Sequence, residues 1–169
     1  MKFFFRAAWL ALPALLAASL APSQTHFPWQ SKADPSIPKT ASVVYLFPEQ
    51  VELTAGKPST VPLHFRVAPG LHINSHTPKD SYLIPTVLSI PSGAVQLKDA
   101  SYPPGSNFTL PVDPSPRLSV YTGEFVINAQ IVAPRGNYLV QGALHYQACD
   151  NNQCMPPKTI PVAIDVEAK

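Results

Sequence analysis

Hydrophobic and polar residues alternate along several short stretches after residue 40. In TVPLHFRV (60–67), Val61, Leu63, Phe65 and Val67 are separated by Pro62, His64 and Arg66. In GEFVINAQIV (123–132), Phe125, Ile127, Ala129 and Ile131 share one side. In KTIPVAIDVE (158–167), Ile160, Val162, Ile164 and Val166 do the same. A period of two marks an extended strand with one buried face. SVVYLF, VELTA, PTVLSI and NYLVQGALHYQ complete the set, and AGKPS, APG, PSG and PRGN punctuate it with turn residues. No 3.6-residue period follows the first 21 residues.

Seven to nine short strands within residues 41–169 predict an all-β fold, an immunoglobulin-like antiparallel β-sandwich, with a closed barrel as the alternative. The 21 prolines of the chain also argue against long helices. The antibody-type clamp, two distant cysteines packed on a tryptophan, is absent. Here the two cysteines, Cys149 and Cys154, are near neighbours, and both tryptophans, Trp9 and Trp29, are N-terminal.

The first residues, MKFFFRAAWLALPALLAASLA, place Lys2 and Arg6 before an apolar run closed by small residues. That is the layout of a secretory signal peptide, with cleavage expected after Ser23. An uncleaved anchor is the alternative, but the stretch is short against the roughly 20 residues a span requires. Residues 24–40 are proline-rich and lack an apolar period, so they read as a flexible lead into a domain at 41–169. The expected address is an exported compartment, which permits disulfides. A formal charge of +2, with no run of Lys and Arg, speaks against nucleic acid as a partner.

The chemistry is concentrated in HYQACDNNQCMPPK (145–158). Strand parity puts Tyr138, Val140, Leu144 and Tyr146 on the core face, and Gln141, His145, Gln147 and Cys149 on the other. DNNQ then turns the chain, and Cys154 is expected to start the return strand. At such a hairpin tip the Cα atoms would come within the roughly 4.4–6.8 Å of a disulfide. A bridge closing six residues contributes only about 2 kcal/mol by chain entropy. On spacing alone the pair reads first as structural, then as redox-active, and last as metal-binding. Pro156 and Pro157 stiffen one side of the tip. Asp150 opposes thiolate formation.

The stretch YQACDNNQCMPPKTIPV (146–162) resembles the active-site hairpin of the N-terminal domain of DsbD thiol:disulfide interchange proteins. The pattern is carried by Tyr146, Gln147, Cys149, Cys154, Pro156 and Pro157. PGLHINSHTPKDSYLIPT (69–86) is similar to a second segment of the family, and the likeness spans most of 41–167. The resemblance implies a periplasmic immunoglobulin-like domain that takes electrons from a thioredoxin-like or membrane electron-donor protein and passes them to periplasmic disulfide-handling proteins. The implied activity is that of a thiol:disulfide oxidoreductase component, of the protein-disulfide reductase type. It implies no cofactor beyond the cysteines, no metal, and contact with a membrane only through a partner. Cys154 would form mixed disulfides and Cys149 would resolve them. Full-length members carry a membrane domain and a C-terminal thioredoxin-like domain. The 169 residues hold neither, so a separate reductant is expected. The family's aromatic cap loop falls near 101–121, with Phe108 as the cap candidate and Tyr121 nearby.

His72, Asn74 and His76 alternate in GLHINSHTP. In a strand His72 and His76 would stand about 13 Å apart, too far to share a metal. By the resemblance His72 and Asn74 line the site; otherwise they are solvent-facing polar positions. His145, Cys149, Cys154 and Met155 are soft ligands of the kind Cu(I) takes. The leading reading is thiol:disulfide exchange through Cys149 and Cys154. A binding or scaffold domain with a structural bridge, and a copper-handling protein, are the alternatives.

Overall fold

The computed structural model describes residues 41–46, 50–111 and 113–169, with the side chains of 113–117 left aside. The expected signal peptide and lead, 1–40, lie outside the described residues. Every regular element among those described is a strand. β1 (Val43–Leu46), β3 (Ser59–Val67), β9 (Glu124–Val132) and β6 (Gln96–Ser101) form one sheet in the order β1-β3-β9-β6. β2 (Val51–Leu53), β12 (Lys158–Ala168), β10 (Gly136–Tyr146) and β5 (Val87–Ser89) form a second, ordered β2-β12-β10-β5. A third sheet, β11-β4-β8-β7, joins β11 (Ala148–Cys149), β4 (His72–Asn74), β8 (Asp113–Tyr121) and β7 (Ser106–Leu110).

The alternating stretches bury the faces their sequences indicate. Val61, Leu63 and Phe65 of β3, Ile127, Ala129 and Ile131 of β9, and Val162, Ile164 and Val166 of β12 have no exposed surface. They meet Leu144 and Tyr146 of β10 in one apolar cluster that the first two sheets share. An aromatic row crosses it. Tyr45 lies 5.2 Å from Phe65, Phe65 5.3 Å from Phe125, and Phe125 4.7 Å from Tyr121, centroid to centroid.

Among the described residues twelve strands replace the seven to nine expected. The additional ones are short or polar: β4 has three residues, β11 two, and β6 (QLKDAS) is an edge strand without a fully buried residue. One pairing departs from the antiparallel expectation, since β2 runs parallel to the end of β12. The connection from β3 to β4 is a four-residue turn, Ala68–Leu71, closed by Leu71 N–H donating to the Ala68 carbonyl at 3.1 Å. Pro69 supplies its fixed φ and Gly70 the positive one, 77°, that a type II turn needs. This turn delivers His72 to the third sheet.

Candidate functional site

β10 and β12 pair in unbroken register from Gly136↔Ala168 to Tyr146↔Lys158. There the ladder stops, because Pro156 and Pro157 have no N–H to donate. Beyond it the chain re-forms a small hairpin in a register shifted by one residue. Met155 N–H donates to Ala148 O at 2.8 Å, and Asp150 N–H to Gln153 O at 2.9 Å. Cys149 and Cys154 face each other between these two bonds. That is the non-hydrogen-bonded kind of antiparallel pair, in which the backbones approach most closely. The two are joined by a disulfide with a Cα–Cα distance of 3.9 Å, shorter than the window expected from sequence for this reason. Cys154 precedes β12 and does not belong to it.

The turn is held by its acid. Asp150 Oδ1 accepts from the amides of Asn152 at 2.7 Å and Gln153 at 2.8 Å. Those two bonds, chiefly the one from Asn152, hold the Asp150 carboxyl below the usual carboxylate range.

The hairpin then docks on β4. Ala148 pairs with Ile73 and Cys149 with His72. Ala148 joins the main core, while Cys149 points to the other side, as strand parity indicates. Cys149 is nevertheless only 2% exposed, whereas Cys154 is exposed. The cover comes from β7 and β8. The segment 101–121, expected as a cap loop, is largely a β-hairpin in which Phe108 pairs with Leu118 and Ser106 with Val120. Leu110 and Leu118 line a cavity of about 180 Å³ with His72, Asp150, Asn152, Gln153 and both cysteines. On its other side His72 contacts the Phe108 ring at 4.3 Å. There the two border a cleft of about 540 Å³ that also includes Gly70, Gly123 and Asn151.

The root of the covering hairpin is fixed. Ser75 and Ser119 share a buried hydrogen bond of 2.8 Å, and Ser75 N–H donates to Ser119 O at 2.9 Å. Gly105 passes directly over this pair; a Cβ there would lie 2.7 Å from Ser75 Cβ. Tyr121 O–H donates to Pro103 O at 3.0 Å and accepts from His76 N–H at 3.1 Å, which ties β8 to its neighbours. Lys79 Nζ holds Asn107 Oδ1 at 2.9 Å on the outside.

The family model for the N-terminal region of the thiol:disulfide interchange protein DsbD matches residues 43–165. The chain belongs to this DsbD N-terminal family. Among solved structures it is similar to the DsbD N-terminal domain of Neisseria meningitidis in the reduced form, at 20% identity, covering 80% of this chain and 94% of that one with a TM-score of 0.48. It is also similar to the N-terminal periplasmic domain of ScsB from Proteus mirabilis, at 14% identity over 77% of this chain, with a TM-score of 0.53. The second likeness supports the fold; this chain spans about half the length of that one. No curated protein sequence matches the chain.

Set against the DsbD-like expectation, the candidate residues separate into two groups. His72 joins the two cysteines in the cavity. Asn74 is buried too, so neither is a solvent-facing position. Asn74 faces other work: its Nδ2 donates to Ile84 O at 3.0 Å, and its carbonyl accepts from Thr86 Oγ1 at 2.6 Å. His76 stacks on Tyr102 at 3.7 Å. His145 is exposed on β10, with Nδ1 3.1 Å from Thr159 Oγ1, and is not among the side chains lining the cysteine cavity. Pro156 and Pro157 are exposed beside Met155, which packs on the core. Phe108 lies against His72, while Leu110 and Leu118 line the cysteine side. The two leucines were missed in the sequence; their signal was an apolar residue at either end of a proline-rich stretch, too sparse to show a period.

Burial lowers the His72 pKa, outweighing the opposite pull of the Asp150 carboxylate. The folded protein therefore binds this proton less readily than the unfolded chain. Stability contributed by neutral His72 is present above its ordinary value of about 6.5 and is lost as pH falls below it. Asp150 acts with the same sign in a lower window, below about 3.9. The melting temperature is expected to decline from pH 7 to pH 5, and a His72→Phe variant is expected to flatten that decline. Parallel profiles for the two proteins would refute the assignment.

Proposed function

We propose that this DsbD-family domain is a periplasmic thiol:disulfide interchange module that passes reducing equivalents between thioredoxin-like partners through the Cys149–Cys154 couple. The observation that carries this reading is the unequal exposure of the bridged sulfurs. Cys154 stands open at the hairpin tip, while Cys149 is enclosed by β4 and the β7–β8 hairpin. Exchange requires one reachable sulfur and one that waits nearby.

In the electron-accepting direction a donor thiolate attacks Cys154 Sγ. The Cys149–Cys154 bond breaks and Cys149 leaves as the thiolate. A second donor thiol attacks the mixed disulfide and departs as the donor's own disulfide, leaving the dithiol here. In the donating direction Cys154 attacks the partner's disulfide, and Cys149 then displaces the reduced partner. Each cycle moves two electrons. The donor is a thioredoxin-like domain or a membrane electron-transfer protein, and the acceptors are periplasmic disulfide-handling proteins. Export by the segment 1–23 would bring the domain to that compartment, and the ScsB relative is itself described as periplasmic.

The deciding measurement is the reduction potential of the pair, by thiol trapping and mass spectrometry across graded redox buffers. A value of about −180 to −230 mV is expected, where exchange proteins lie. A value below about −300 mV would mark a bridge that resists reduction and would replace this reading with a structural one.

A further inference from the structure

We propose that His72 is the base that deprotonates Cys149 when Cys149 attacks Cys154 to release a bound partner. The inference rests on the exchange reading above and assigns a residue to its resolving step.

Three observations converge on it. His72 is the direct cross-strand partner of Cys149. Side chains so opposed share a face, with Cβ atoms about 4.5–5.5 Å apart. His72 is 2% exposed, and its Nε2 is buried without a hydrogen-bond partner. An orphaned buried ring nitrogen is costly and calls for an explanation, a catalytic role being one. The cavity beside it contains both sulfurs, with Leu110 and Leu118 on one side and the turn residues Asp150, Asn152 and Gln153 on the other.

The chemistry of the resolving step needs such a group. Cys149 is enclosed, and apolar burial raises a thiol's pKa and lowers its thiolate fraction. The groups around His72 are few among the described residues. The hairpin presents Cys149, Cys154 and Asp150, and β7 presents Phe108. β8 presents Leu118, with Tyr121 turned to the core side beside Ile73. Across the cleft lies the exposed Arg66–Glu124 ion pair at 2.7 Å. Burial outweighs Asp150 and keeps the imidazole neutral, so a lone pair is available around neutral pH.

In the mixed disulfide Cys149 is a thiol. Nε2 takes its proton, and the Cys149 thiolate attacks Cys154 Sγ. The intramolecular bridge forms, the bond to the partner breaks, and the partner leaves as a thiolate. The imidazolium then returns its proton to that thiolate or to solvent, so electrons and protons balance.

The test uses the reduced protein and 5,5′-dithiobis(2-nitrobenzoate) in stopped flow. Cys154 attack releases the first thionitrobenzoate, and Cys149 attack releases the second. In the wild type the second release is expected to hold its rate down to about pH 6.5. In His72→Phe and His72→Gln the second release, relative to the first, is expected to slow about 10–100-fold at pH 6.5 and to recover as pH approaches 9. A wild-type second release that already rises tenfold per pH unit from 6 to 8 overturns the proposal without any variant. Variants whose second release parallels the wild type at every pH overturn it as well. Loss of the second release in the wild type itself would instead sink the exchange reading.

Discussion

Cys149→Ala is expected to accumulate a mixed disulfide between Cys154 and an oxidised thioredoxin-like partner, whereas Cys154→Ala accumulates none. The difference is nearly all-or-none, because it follows from access. Cys154 is exposed and free of the covering hairpin, so it can meet a partner's sulfur without rearrangement. Cys149 is 2% exposed beneath Leu110 and Leu118 and is reachable chiefly by Cys154 itself. With Cys149 gone, the nearby thiol that would release the partner is missing, and the complex persists. Non-reducing gels and mass spectrometry of the cross-linked peptide read the result. Equal trapping by both single variants, or by neither, would remove the assigned order of attack.

Phe65→Ala is the second large effect. Phe65 has no exposed surface and sits between Tyr45 and Phe125 in the aromatic row. Removing a buried phenyl costs about 3–5 kcal/mol, the sum of lost transfer energy and the remaining cavity. For a domain of this size that is a drop of roughly 10–20 °C in melting temperature. The consequence reaches the site, since Phe125 packs on Tyr121, and Tyr121 anchors β8 to β4 and to Pro103. Calorimetry of the oxidised protein checks the figure. A change under about 1 kcal/mol would mean that the row is not the centre of the core.

The exposed ion pairs are expected to add little beside these terms. Arg66–Glu124 and Lys169–Glu52 are more than half exposed at every side chain, and such pairs contribute about 0–1 kcal/mol. The apolar faces of β3, β9, β10 and β12 hold the sandwich together.

Those faces were readable because each strand is long enough to repeat its alternation four or five times. Val61 to Val67 and Val162 to Val166 have one consistent solution, a half-buried strand. The parity that turns Cys149 away from Ala148 and the main core was readable in the same way. β4, β7 and β11 were not: two to five residues give no period to count, and these strands form because a neighbour offers unpaired backbone groups. The expected loop at 101–121 hides a hairpin whose pairing depends on contacts with Ser75 and His72, about 30–45 positions away in the sequence.

By itself, the sequence determined the class of fold, the location of the cysteine pair at a proline-braced hairpin tip, and the face each long strand buries. Those properties are local, set by period two and by residues that fix φ or lack an N–H. The tertiary structure alone decided that Cys149 is enclosed and Cys154 open, that His72 and not His145 lies with them, and that Leu110 and Leu118 form the cover. Strand parity can say which way a side chain points. What stands in that direction depends on segments that meet only when the chain is folded.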